Sequence, residues 1–269
     1  CRHMLVIFPF EADVYDDVDL KTTFVGHPLV HILRREAPPA DRDPNLVVLL
    51  PGSRFSEVNR IFRPMLETAT ALHRQHPAMT FVVPAPRPAI ADRLRDQIRQ
   101  FAPDITVDVA VGEANAWLRR GIAGIAASGT ITVQAAILGL PLVVVYRMNP
   151  ITYMLGRMLV KIPYFTMVNL VTDRLVFEEF IQGEVKADTL APALERILPG
   201  GDRRDEAMAG IRDCVERLGG KDNADRLITI PNGLDLEQVH AAAEEFSYAE
   251  KYDWPEGKLV LTGAEEVSA

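Results

Sequence analysis

From residue 45 onward, short apolar runs alternate with longer segments in which apolar residues recur every three or four positions. The short runs are rich in β-branched residues and predict strands that are covered on both faces. The longer segments predict amphipathic helices. Regular alternation of strand and helix is typical of a parallel, doubly wound sheet, so the pattern predicts an α/β, Rossmann-like domain. The predicted strands are NLVVLL, MTFVVPAP, ITVDVAVG, IAGIAASG and LPLVVVYR.

The two ends of the chain differ from this regular middle part. The segments HMLVIFPFE and TTFVGHPLV predict two further strands, which are followed by the charged, Pro-rich segment RREAPPADRDP. We therefore predict three parts: residues 1–40 as the end of a preceding domain with a linker, 41–228 as the sheet domain, and 229–269 as an acidic tail. The first residue, Cys1, lies almost directly before a predicted strand, so we expect an upstream part to be missing.

Composition excludes several classes of protein. The 269 residues are 48% hydrophobic and carry a net charge of −8, so there is no overall positive potential to attract nucleic acid. The two cysteines, Cys1 and Cys214, exclude a disulfide framework and a cysteine-based zinc cluster, and they suit a reducing compartment. The apolar runs are too short to predict a membrane-spanning helix or a signal peptide.

Two of the predicted strands are followed by loops of similar chemistry. The first loop is Gly52-Ser53-Arg54, with Glu57 close behind it, and the second is Ser128-Gly129-Thr130. In open α/β sheets the ligand binds beyond the carboxyl ends of the strands. Glycine allows the backbone to approach a ligand, and the N-terminus of the following helix favours an anion. Arg54 adds a guanidinium for a phosphate oxygen. Together the loops predict a diphosphate ligand such as a nucleotide sugar.

Each loop taken alone also has a purely structural explanation. Ser53, Ser56 and Thr130 are good N-cap residues, and Glu57 complements the helix dipole from the first turn. Neither loop matches the glycine pattern of dinucleotide-binding enzymes or of P-loop proteins. The segment HPLVH is interpreted as a loop and not as a metal site, and Asp17–Asp19 as a solvated acidic turn. We therefore predict no bound metal and no cofactor.

Five longer segments of the chain carry a further signal: MLVIFPFE, FVGHPL, LLPGSRFSEV, ASGTITVQAAILGLPLVVVYRMNPITYMLGRMLVKIPYF and NLVTDRLVFEEFIQ. Together they resemble the lipid-A-disaccharide synthases, a family of inverting glycosyltransferases with the GT-B fold. The resemblance runs in order from about residue 4 to residue 226. It implies transfer of 2,3-diacylglucosamine from its UDP donor to lipid X, with release of UDP and formation of the lipid A disaccharide. It also implies a homodimer with swapped C-terminal domains and peripheral contact with the cytoplasmic side of a Gram-negative inner membrane.

The resemblance assigns roles to residues of both loops and beyond. It implies that Gly52–Arg54 lie at the UDP diphosphate and that Ser128–Thr130 form the second phosphate and ribose loop. Asn169 matches an asparagine that the family needs near the donor. Gln134 stands where the family usually has a glutamate for the ribose hydroxyls, so we expect weaker donor binding. Arg147, which follows a strand end beside the predicted nucleotide site, is a further candidate for the donor.

Other features depart from the family pattern. Val168 replaces a proline and Asp173 replaces a glycine. The family's N-terminal domain carries the acceptor site and the expected general base, and we expect it upstream of Cys1. We therefore predict that this chain carries mainly the donor-binding half, which is inactive alone. A UDP-sugar epimerase is disfavoured because no histidine falls between His76 and His240. A non-catalytic nucleotide-binding or dimerisation module remains an alternative.

A Met-rich segment follows the last predicted strand of the sheet. Its apolar residues form one stripe, with Arg157 and Lys161 on another face. This pattern predicts a helix that is either part of the core or serves the dimer interface and the lipid substrate. The stripe consists of Ile151, Met154, Leu155, Met158 and Leu159.

Overall fold

The computed structural model describes residues 3–11, 21–35, 41–148 and 163–219. The chain divides into two compact units, one made of Cys1–His31 with Leu218–Ala269 and the other of Ile32–Arg217. The predicted linker residues 36–40, the acidic turn Asp17–Asp19, the Met-rich segment and the tail 229–269 lie outside the described residues. No helix in the described ranges has both the length and the apolarity that a bilayer crossing requires.

In the first unit, two short strands pair in parallel. β1, His3–Val6, aligns with β2, Lys21–Phe24, and Val6 lies opposite Phe24. The prediction of a loop at HPLVH was wrong, because helix α1 extends over Pro28–Arg35. Pro28 suits the first helical position, where its missing N–H is not needed. His27 accepts a hydrogen bond from the Leu29 N–H at 3.2 Å through Nδ1, and burial lowers the pKa of His27 to about 4, so the neutral ring helps to begin the helix.

The second unit is built on a parallel sheet, as predicted. Among the described residues the sheet has six strands in the order β5-β4-β3-β6-β7-β8, and every neighbouring pair is parallel. The predicted doubly wound α/β domain is confirmed. β8 was not predicted, because its sequence EEFI lacks a long apolar run. The strands are β3 Leu46–Leu50, β4 Thr80–Ala85, β5 Val107–Val111, β6 Ala123–Ala127, β7 Leu142–Tyr146 and β8 Glu178–Ile181.

Helices connect the strands and cover the sheet. Helices α2 and α3 connect β3, β4 and β5 in one direction across the sheet, and the chain then returns through α4 to β6 on the other side of β3. Right-handed crossovers place connections of opposite direction on opposite faces. The helices are α2 Phe55–Gln75, α3 Pro88–Phe101, α4 Ala114–Arg120, α5 Thr130–Ile137, α6 Met167–Thr172, α7 Ala187–Ile197 and α8 Arg204–Arg217.

The hydrophobic core lies between the sheet and the layer formed by α2, α3 and α7. Alternate residues of β3, Val47 and Leu49, pack in one cluster with α2 side chains such as Phe62 and Met65. All five residues of β3 are buried, as expected for a strand that is covered on both faces. The carboxyl edge of this sheet carries the two predicted glycine-containing loops, which follow β3 and β6.

Candidate functional site

The two predicted loops lie at neighbouring strand ends. β3 and β6 are hydrogen-bonded neighbours, and Leu50 aligns with Ala126 near the end of each strand. The direction of strand order reverses between these two strands, because β4 lies on the far side of β3 and β7 on the far side of β6. Such a switch point opens a crevice beyond the carboxyl ends of the strands. The structure therefore brings Gly52–Arg54 and Ser128–Thr130 to the same edge of the sheet.

In the first loop, a carboxylate of the chain itself accepts hydrogen bonds from the backbone. Glu57 Oε2 accepts from the N–H of Ser53 at 2.9 Å and from the N–H of Arg54 at 3.2 Å. Gly52 has a φ of 106°, and a Cβ added to it would lie 2.2 Å from the same oxygen. Since backbone N–H groups at a helix start are the natural ligands of an anion, Glu57 stands where a phosphate oxygen is expected.

The Arg54 side chain points into solvent beside this carboxylate. It is 72% exposed, and its Nη1 lies 3.3 Å from Glu57 Oε1. Arg54 is also the residue that precedes α2, so the alternative in which Ser53 or Ser56 is the N-cap was wrong. The first-turn role of Glu57 is confirmed. A phosphate can reach the Arg54 guanidinium without any rearrangement of the fold.

The second loop presents a helix start with no side-chain cap. Helix α5 begins at Thr130 and is preceded by Gly129, so the N-cap alternative for Thr130 was also wrong. Gly129 and Thr130 are exposed, and a Cβ added to Gly129 would meet nothing within 4 Å. The Thr132 hydroxyl donates to the Gly129 carbonyl at 2.8 Å. The start of α5 is therefore open to solvent. Gln134 lies one turn after Thr130 on the same side of α5 and is half-buried.

Asn169 has no direct access to solvent. Its side chain is buried, and Nδ2 donates to the carbonyl of Phe177 and to Glu179 Oε1, both at 2.8 Å. Its Oδ1 accepts from the N–H groups of Val176 and Phe177, both at 2.9 Å. An asparagine amide has two donors and one oxygen with two lone pairs, so these four bonds use its full capacity. Asn169 thus orders the turn between α6 and β8.

Glu179 is a residue that the sequence reasoning missed. One of its oxygens accepts hydrogen bonds from Phe165 N, Thr166 N, Thr166 Oγ1 and Asn169 Nδ2, at 2.8–3.0 Å. The Phe165 carbonyl in turn accepts from the Ser128 hydroxyl at 3.2 Å. The second loop is therefore connected to Asn169 through Phe165 and Glu179. An acidic residue inside a short strand-forming run was the only sequence signal for this role.

Arg147 joins three separate segments of backbone. Its guanidinium donates to the carbonyls of Gln182 at 3.0 Å, Arg60 at 3.0 Å and Val185 at 2.7 Å. The Gln182 side-chain amide accepts a hydrogen bond from the Met148 N–H and donates one to the Met148 carbonyl. These contacts connect the end of β7 to α2 and to the 3₁₀ turn Gln182–Glu184, and they favour a structural role for Arg147.

Metal-binding and thiol chemistry have little support in the described residues. Within them, no group of three or more His, Cys, Asp or Glu side chains is placed to hold a metal ion. Cys214 is buried, and desolvation raises the pKa of its thiol to about 12, so it is unreactive at neutral pH.

Comparisons with known proteins identify the family. The sequence model for lipid-A-disaccharide synthetase matches residues 1–227. The chain belongs to the lipid-A-disaccharide synthase family. The resemblance seen in the sequence is thereby confirmed.

Curated members of this family are longer than the chain. It is 34% identical to the lipid-A-disaccharide synthase of Myxococcus xanthus over 224 residues, which cover 80% of this chain and 58% of the relative. It is 35% identical over 238 residues to that of Acidobacterium capsulatum, with the same two coverages. A solved structure, TarM, is 13% identical with a TM-score of 0.49 and matches 88% of this chain and 42% of TarM. The matched part of this chain thus spans 58% of the length of the two curated synthases.

Proposed function

We propose that this chain is the donor-binding half of a GT-B glycosyltransferase that transfers 2,3-diacylglucosamine from UDP to lipid X. One observation carries the proposal: two glycine-containing loops meet at the switch point between β3 and β6. Membership of the lipid-A-disaccharide synthase family supports the choice of substrates. The reaction is the formation of the lipid A disaccharide in lipid A biosynthesis.

In this proposal the two loops hold the diphosphate of the donor. Arg54 supplies the main positive charge, and the N–H groups of Ser53 and Arg54 become available when Glu57 withdraws from them. The open start of α5 at Ser128–Thr130 binds the second phosphate and the ribose, with Gln134 one turn further along the helix. Because a glutamine lacks the charge of the family's glutamate, its hydrogen bonds to ribose are weaker.

Two of the proposed site residues act indirectly. Asn169 shapes the wall beside the second loop through Glu179 and Phe165, and its amide has no remaining capacity for a ligand. Arg147 fixes the relative positions of β7, α2 and the 3₁₀ turn. We therefore expect substitution of either residue to lower donor affinity by loosening the site.

The chemical step in this proposal inverts the anomeric centre. The acceptor hydroxyl attacks the anomeric carbon, the carbon–oxygen bond to UDP breaks, and a general base takes the hydroxyl proton. We propose that this base belongs to the portion of the longer relatives that this chain does not cover. The chain alone then binds donor without forming disaccharide.

The proposed setting follows from the chemistry of the substrates. Lipid X and the acylated donor are amphiphiles, so we propose peripheral contact with the cytoplasmic side of the inner membrane of a Gram-negative bacterium. We also propose a homodimer with swapped C-terminal domains. No metal or nucleic acid takes part in this scheme.

Calorimetric titration of UDP into the chain tests the donor site. We expect UDP to bind, Arg54→Ala to weaken binding by about 1.5–3 kcal/mol as a lost charged hydrogen bond does, and Gln134→Glu to strengthen it. Arg95→Ala, an exposed arginine on α3 that pairs with Asp92, is the matched control and should leave binding unchanged. Absence of UDP binding by a folded chain, or equal effects of Arg54→Ala and Arg95→Ala, would contradict the proposal.

A non-catalytic nucleotide-binding or dimerisation module is the second candidate. The carboxylate of Glu57 on the N–H groups of the first loop favours it, since a loop without a ligand is stabilised by such an internal anion. Disaccharide formation by the full-length protein distinguishes the two candidates. A folded full-length protein that binds UDP but forms no disaccharide is the result expected for the module.

A further inference from the structure

A positively charged cavity lies beside α2, and none of the residues that line it belongs to the two glycine-containing loops. It has a volume of about 270 Å³ and is bordered by α2, the end of β7 and the residues that precede α7. The side chains that decide its charge are Arg60, Arg63, Arg147, Lys186 and Glu67. Four of these are cationic and one is acidic, in a chain whose overall charge is −8.

The backbone contacts of Arg147 bring these cations together. Arg147 donates to the carbonyl of Arg60 in α2 and to the carbonyl of Val185, the residue before Lys186. The Arg147 guanidinium is therefore hydrogen-bonded to both of the backbone segments that carry Arg60 and Lys186. Arg63 lies three positions after Arg60, and Glu67 lies four positions after Arg63, so the three residues lie on the same side of α2.

Two of the four cations are already engaged by the chain. Arg63 donates from Nε to Glu67 Oε1 at 2.8 Å, and its guanidinium lies 4.9 Å from the centre of the Phe101 ring. Arg147 is engaged by the three carbonyls. Arg60 and Lys186 are both exposed, and in the described part of the chain no acidic side chain forms an ion pair with either. The cavity therefore has two cations that remain available to a ligand, next to two whose positions are fixed.

We propose that this cavity binds a phosphate group through Arg60 and Lys186. Arginine offers a planar pair of donors and lysine a compact charge, which together suit a phosphate that carries more than one negative charge. The start of α7 adds the positive end of a helix dipole, which Asp188 in its first turn partly offsets. The phosphate belongs either to a small phosphorylated molecule or to a phospholipid headgroup. The cavity shares no residue with the two loops, but Arg147 borders it and also supports the proposed donor site, so Arg147 is left unchanged in the test.

Calorimetric titration of inorganic phosphate into the full chain tests the site, and every variant is also measured in the Arg54→Ala background, in which the first glycine-containing loop contributes least to phosphate binding. The cavity variant is the double substitution Arg60→Gln with Lys186→Gln, which leaves Arg147 in place. The control is Arg74→Gln with Arg212→Gln, two exposed arginines outside the cavity, which removes the same charge. We expect about tenfold weaker binding in the cavity variant, since two exposed charged contacts contribute about 1.4 kcal/mol together, and less than a twofold change in the control. Equal losses in both variants, or no phosphate binding by the native chain, would overturn the proposal.

Two further measurements identify the source of the phosphate and separate this site from the donor site. Sedimentation with phosphatidylcholine vesicles, with and without phosphatidic acid, is compared for the native chain and both variants. Retention that requires phosphatidic acid and is lost only in the cavity variant identifies a lipid headgroup, whereas soluble phosphate binding alone identifies a small molecule. Equal loss of vesicle retention in the cavity variant and in the control variant would contradict specific phosphate binding at the cavity. UDP binding should be unchanged in the cavity variant and weakened in Arg54→Ala. The phosphate-site proposal and the donor-site proposal can therefore be contradicted separately.

Discussion

The two glycine-containing loops have similar residues and different surroundings. In both, a strand ends, a small-residue turn follows, and a helix begins. The third residue of α2 is Glu57, whose carboxylate turns back onto the loop, whereas the third residue of α5 is Thr132, whose hydroxyl donates to a carbonyl instead. The first helix start is therefore capped from within and the second is open. A side chain three positions after the turn decides whether a loop of this kind is free for an anion.

The loops also differ in how they are supported. The first depends on one residue four positions away, since Glu57 contacts Ser53. The second depends on a chain of hydrogen bonds through Phe165, Glu179 and Asn169. Because the first loop is stabilised by a nearby residue, a substitution there should affect only the loop itself. Because the second loop is linked to Asn169 through Phe165 and Glu179, substitution of Asn169 should also affect residues that it does not contact directly.

Substitution of Asn169 should give the largest effect. Asn169→Ala removes four buried hydrogen bonds, two of them from backbone N–H groups, so we expect a loss of about 3–4 kcal/mol in the free energy of unfolding. Urea denaturation followed by circular dichroism measures it. Ser128→Ala removes only the half-buried end of the same network and serves as the comparison, with an expected loss below about 1 kcal/mol. A similar cost for both variants would show that the network does not depend on Asn169.

Substitution of Gly52 should have the next largest effect. Gly52→Ala combines a φ of 106° with a contact of 2.2 Å to the Glu57 carboxylate, so we expect destabilisation of about 2–3 kcal/mol. Gly183→Ala is the control, because a Cβ there meets nothing within 4 Å and its φ is not positive. Thermal unfolding of the two variants measures the difference. If both melt like the native chain, the first loop is not closed by Glu57.

Removal of the Glu57 charge should have the smallest effect on stability and an opposite effect on binding. Glu57→Gln keeps a capping side chain, so we expect a loss of only about 0.5 kcal/mol. The neutral amide competes less strongly than a carboxylate for the N–H groups of Ser53 and Arg54, and UDP should therefore bind severalfold more tightly. Calorimetric titration of UDP measures this change. Weaker UDP binding would instead mean that Glu57 takes part directly in holding the donor.

Long, regular segments were predictable and short, irregular ones were not. The five predicted strands appear where the pattern placed them, and the long helices α2 and α3 lie between them as the amphipathic segments predicted. The prediction failed at α1, where a proline at the first helical position resembled a loop signal. It also missed α6 and β8, which are six and four residues long. Elements of this length have too few turns or alternating positions to be recognised by periodicity. They are stabilised instead by backbone N–H groups that donate to the side chains of Asn169 and Glu179.

The sequence by itself determined the α/β class, the loop chemistry at two strand ends and the family, because these depend on local spacing and on residue identity. Only the tertiary structure decided which groups meet. Arg147 reaches a carbonyl 87 residues away, and Ser128 reaches one 37 residues away. Such pairs depend on strand order and on the path of each crossover, which no local pattern encodes. The hydrogen-bond network behind the second loop and the cationic cavity are therefore properties of the fold.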